Sequence, residues 1–71
     1  MTEVKINTPF IKLEQLLKFC GAAGSGGEAK ISILTGWVSV NREICLQRGR
    51  KLFPGDIVCI EEKEFLLLNS I

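Results

Sequence analysis

The chain has 71 residues, 46% of them apolar and 24% charged, with a net charge of +1. That composition fits one folded domain with a modest core, because a chain of this size buries only about 60% of the surface it exposes when unfolded. It has no histidine, which leaves no usual general base near neutral pH and, with no C-x-x-C pair, argues against both catalysis and a zinc site.

No apolar run approaches the ~20 residues of a membrane span. The start, MTEVKINTPF, has neither the basic opening nor the apolar block of a secretory leader. A cytoplasmic protein with no membrane association, metal or cofactor is expected. Cys20, Cys45 and Cys59 are far apart in sequence and read as small buried hydrophobes. The charge is unevenly spread. Residues 1–29 balance to zero, whereas residues 30–51 set Lys30, Arg42, Arg48, Arg50 and Lys51 against Glu43, for +4. Residues 52–71 set Asp56, Glu61, Glu62 and Glu64 against Lys63, for −3. A basic middle beside an acidic end can present one positive face.

In chain order, EVKINT alternates Val4 and Ile6 with polar neighbours, a short strand ended by Pro9. In IKLEQLLKFCG, Leu13, Leu16, Leu17 and Cys20 share one helical face, with Lys12, Glu14, Gln15 and Lys18 left to water and Gly21 as a stop. GAAGSGG is a glycine-rich connection, after which Ser25 caps a second helix and Glu28 completes an S-x-x-E capping box. Ala29 and Ile33 form that helix's buried stripe with Leu34 beside it, and Gly36 sits where a left-handed cap belongs.

WVSVN sends Val38 and Val40 one way and Trp37 and Ser39 the other, and Asn41-Arg42 turns into EICL. The polar loop QRGRK and the turn PGD follow. DIVCIE and EFLLLN close the chain as two strands joined at Glu62-Lys63. Within the second, Leu66, Leu67 and Leu68 form an apolar run without alternation, read as core. Trp37 is placed over one end of the core, the alternative being a stack on an unpaired base. The order is one short strand, two helices and about four strands. The expected class is α+β, with two N-terminal helices packed on a small, mainly antiparallel sheet.

Helix, small-residue turn, SGGEAK helix, G-x-V-x-V-N hairpin, basic loop and G-D strand, in that order, resemble the αL RNA-binding motif. This is the domain named after small-subunit ribosomal protein S-four. SGGEAK with RGRKL is closer still to its small stand-alone bacterial members. The resemblance covers about residues 11–61 of what is expected to be a single domain over 1–71. It implies binding of structured RNA, ribosomal or transfer RNA, with possible partners on the ribosome. Carried over by position, it implies contacts from Ser25 and Lys30, from Asn41 in the hairpin, and from Arg48, Arg50 and Lys51. Two positions depart from it: Gly26 stands where many members have arginine, and Arg42 where many have glycine.

Physical chemistry adds to this. Amides at a helix start attract phosphate, and Gly26 and Gly27 let its oxygens approach. Arg48, Arg50 and Lys51 can grip a backbone, with Gly49 giving the loop freedom. Arg42 can supply from the hairpin tip the charge missing at Gly26. The expected function is non-enzymatic RNA binding in ribosome assembly or translation. The competing reading is a protein-interaction adaptor that keeps the fold without RNA binding. A ubiquitin-like sulfur carrier is set aside, because the sequence ends Asn-Ser-Ile rather than Gly-Gly.

Overall fold

In the computed structural model, which describes residues 1–70, the alternation of Val4 and Ile6 becomes strand β1 (Thr2–Ile6), with both side chains buried. A two-residue strand β2 (Ile11–Lys12) leads directly into α1 (Leu13–Phe19). Leu13, Leu16 and Leu17 lie fully buried along its inner face. Helix α2 (Gly26–Leu34) buries Ala29 and Ile33 and leaves Leu34 exposed.

The end of α2 explains Gly36. Its φ of 82° lies in the left-handed region. There its N–H donates to the Ile33 carbonyl while the Trp37 N–H reaches back to Ser32. This pair of bonds stops the helix and redirects the chain into a strand.

The strands are β3 (Val38–Val40), β4 (Glu43–Ile44), β5 (Lys51–Leu52), β6 (Ile57–Ile60) and β7 (Lys63–Asn69). They form a five-stranded sheet, ordered β1-β7-β6-β3-β4, and a separate two-stranded pair, β2-β5. Val4, Ile6, Val38, Val40, Val58, Ile60, Phe65 and Leu67 point to the core. Their neighbours Ser39, Ile57, Cys59, Leu66 and Leu68 stay half-buried, so the helices cover one face of the sheet only.

The expected architecture of two N-terminal helices on a small, mainly antiparallel sheet is corrected here. A strand comes first, and it pairs in parallel with the last strand, Val4 opposite Leu67, so the main sheet is mixed. A parallel neighbour needs a long crossover, and the whole intervening chain provides it. The closing turn is Glu61-Glu62 rather than Glu62-Lys63, since Ile60 pairs with Lys63 and Glu61 takes φ 56°. The leucine run does alternate: Leu67 is buried, Leu66 and Leu68 only half so. Of the cysteines, Cys45 is buried and Cys20 and Cys59 are half-buried, all three as free thiols.

Asn41-Arg42 takes positive φ at both residues, 51° and 71°, as a two-residue type I′ hairpin requires. Asn41 holds the turn in place. Its N–H donates to the Ile57 carbonyl at 2.7 Å, its Oδ1 accepts from the Ile57 N–H at 3.0 Å, and its Nδ2 donates to Asp56 Oδ1 at 3.1 Å.

Two outcomes follow for thermal melts. Arg42→Gly should raise Tm by a few degrees, because a left-handed penalty of about 1–2 kcal/mol exceeds the ~0.4–1 kcal/mol glycine costs through the unfolded chain. A fall in Tm would show that the arginine stabilises the turn by a contact. Asn41→Ala should lower Tm by about 8–16 °C, for the loss of two side-chain hydrogen bonds contributing about 1 kcal/mol each.

Candidate nucleic-acid interface

The loop carrying Arg48, Arg50 and Lys51 is fixed through its backbone. The first amides of a helix have no intrahelical acceptor. In α1 they find one in this loop: Leu13 N–H donates to the Arg50 carbonyl at 2.9 Å and Glu14 N–H to the Arg48 carbonyl at 3.1 Å. A third first-turn bond runs from Lys12 N–H to Gln15 Oε1 at 3.2 Å. Lysine has no side-chain acceptor with which to return it. With the Arg48 and Arg50 carbonyls turned to the helix, the Arg48 side chain is exposed and that of Arg50 half-buried, and Lys51 beside them is exposed.

The β2–β5 pairing adds a cation that the sequence reading assigned to water. Lys12 lies directly opposite Lys51, a like-charge cross-strand pair that works against folding. Among the described residues no carboxylate is ion-paired with Lys12, Arg48, Arg50 or Lys51. Lys51 finds partial relief over the Phe10 ring, its Nζ 4.8 Å from the centroid. Four cations are thus gathered at the start of α1, whose own dipole is positive at that end.

The second group of expected residues surrounds the start of α2. Ser25 caps it, its Oγ accepting from Glu28 N–H at 3.2 Å. The capping box closes one residue early: Glu28 Oε2 accepts from Gly24 N–H at 2.7 Å, not from Ser25. Gly26 and Gly27 present first-turn amides without intrahelical acceptors. Lys30 is exposed one turn beyond Gly26. Lys18, at the end of α1, was also missed. A Cβ built on Gly26 would lie 4.0 Å from Lys18 Cδ. The position lacking the arginine therefore has a lysine stem from the neighbouring helix running past it.

These two groups sit at opposite ends of α1, whose seven residues span about 10 Å. The hairpin tip joins the first group indirectly. Asp56 Oδ1 accepts from Asn41 and its Oδ2 accepts from the Phe53 N–H at 2.8 Å. The Asn41-Arg42 turn is therefore tied to the end of β5, next to Lys51. Asn41 spends both polar side-chain atoms on this anchoring, while Arg42 stays exposed.

Trp37 is not a core residue: it is 61% exposed. It lies between the cap of α2 and the first residue of β3, its N–H bonded to the Ser32 carbonyl. Periodicity gives its side of the strand, but only tertiary packing decides what lies on that side. Among the described residues no group of three histidines, cysteines or carboxylates is placed to hold a metal, and no helix is long and apolar enough to cross a membrane.

A family model described as S4 domain matches residues 4–67. A Bacillus subtilis (strain 168) protein named "Probable ribosome maturation protein RlbA" is 45% identical over 58 residues, which is 82% of each chain. The family match runs from within β1 to within β7, nearly the whole chain, so this chain belongs to the S4 domain family.

Proposed function

We propose that this protein is a non-enzymatic, cytoplasmic RNA-binding protein that recognises structured RNA, ribosomal or transfer RNA, and acts in ribosome assembly or translation. The observation that carries the reading is the cluster of Lys12, Arg48, Arg50 and Lys51, unneutralised and fixed by backbone bonds at the start of α1. A cross-strand lysine pair has no folding benefit, whereas a phosphate chain passing over it removes the repulsion and gains charge-assisted hydrogen bonds. The name of the Bacillus relative supports the ribosomal setting.

In this reading the loop cations hold one stretch of the RNA backbone. The amides of Gly26 and Gly27, with Ser25, Lys18 and Lys30, meet a second about one α1 length away. Arg42 extends the positive surface at the hairpin tip. The carboxylate of Glu28 already lies at the start of α2, so the amides there act together with Lys18 rather than alone. Asn41 contributes by shaping the turn.

Adaptor function without RNA is the competing reading. Its support is the exposed apolar set Ile31, Leu34, Trp37 and Ile44. Salt dependence separates the two. If roughly four phosphates are engaged, log K for a structured RNA should fall against log salt with a slope near −3 in a filter-binding titration. A flat response, or no binding at low salt, favours the adaptor.

Changing Arg48, Arg50 and Lys51 together to glutamate should abolish RNA binding and shift Tm only slightly. The loop is held by carbonyls that the substitutions keep, and exposed side chains such as Arg48 and Lys51 contribute within about 0.5 kcal/mol each, the half-buried Arg50 somewhat more. A large loss of stability would assign these side chains to folding instead.

A further inference from the structure

A cleft of about 520 Å³ opens where the β1–β2 connection passes α1, within the usual size of small-ligand sites. Its walls combine two kinds of chemistry. Phe10 and Phe19 supply aromatic surface, and Asn7 and Gln15 supply side-chain amides. Phe19 closes the last turn of α1 and is 64% exposed, a large ring with little packing to account for it. Gln15 uses its oxygen on Lys12 N–H and keeps its NH₂ donors, while no side-chain partner is recorded for Asn7 among the described residues. The cleft is also continuous with the cation cluster. Phe10 forms part of its wall and carries the Lys51 ammonium over its ring, and Gln15 is bonded to the residue paired opposite Lys51.

We infer that this cleft receives one unpaired nucleobase of the RNA, stacked on the Phe10 and Phe19 rings with its edge hydrogen-bonded by Asn7 and Gln15. The inference rests on the RNA-binding reading above and names what that RNA must offer beyond phosphates. Bases within an A-form stem are out of reach of such a cleft, whereas loops and bulges offer bases that stack on aromatic side chains. Aromatic rings beside amide donors and acceptors, with cations at the rim, match the face and edge of a base and the phosphate attached to it. A neutral peptide side chain would leave the rim cations unused.

The test uses an RNA stem with a single bulged nucleotide, made with each of the four bases and with an abasic sugar at that position. The full-length parent should bind at least one base-containing stem about tenfold more tightly than the abasic stem, the effect of one stacked base. Phe19→Ala, at an exposed position, should bind all five stems as the parent binds the abasic one, with Tm unchanged. Asn7→Ala should reduce the preference among bases.

Equal parental affinity for all five stems overturns the base site while leaving phosphate binding intact. So does a Phe19→Ala protein that keeps the parent's preference. An equal loss on every stem, the abasic one included, overturns it too and assigns Phe19 to packing or to a protein contact. If the parent binds none of the stems at low salt, the RNA reading itself fails, which the salt titration reports separately.

Discussion

The structure depends on where the first amides of α1 end. A seven-residue helix is too short to hold together alone in water. This one is started by carbonyls of Arg48 and Arg50, far along the chain. The contact does two jobs. It satisfies donors that would otherwise be left unpaired beside the core, and it fixes the loop so that its side chains face outward. Helix and cation cluster therefore stand or fall together. The like charges of Lys12 and Lys51 are held face to face as a consequence of the strand pairing that completes this junction.

At the far end of α1, the same helix compensates for an apparent deficit. Gly26 leaves the start of α2 without a charge of its own, and Glu28 adds a negative one. Lys18, in the last turn of α1, lies alongside. One short helix thus joins two separated positive points, the loop cations at its start and Lys18 at its end. Asp56 links a third element, the hairpin tip, to the first of these. The surface is built less from one strongly basic segment than from packing that brings modest charges together.

Much of this was legible in the sequence where the signal is local. The spacing of Leu13, Leu16 and Leu17, Ser25 three residues before Glu28, Gly36 after Leu34, and Asn-Arg between two alternating runs each follow from short-range sterics or hydrogen bonding. What could not be read depends on partners distant in the chain. Nothing in EVKINT distinguishes a parallel neighbour from an antiparallel one. Strands as short as β2 and β5 leave no periodicity, so the meeting of Lys12 with Lys51 was hidden. Lys18 looked like an ordinary solvated residue because its neighbour, Gly26, belongs to another helix. Trp37 was read as covering the core, but whether a ring beside a strand is covered depends on tertiary packing, and this one is exposed.

The parallel pairing of β1 with β7 also sets an order of events during synthesis. β1 is made well before its neighbour in the sheet, β7, with every other element between them. At about 5–20 residues per second, roughly 3–11 s separate the end of one from the start of the other. Throughout that interval Val4 and Ile6 have no sheet to join, while the helix pair and the β3–β4 hairpin can already be forming from nearby contacts. The assembly of the helix pair and hairpin and the final locking of the sheet are therefore separate steps in time. The strand that locks the sheet is made only after every other element of it.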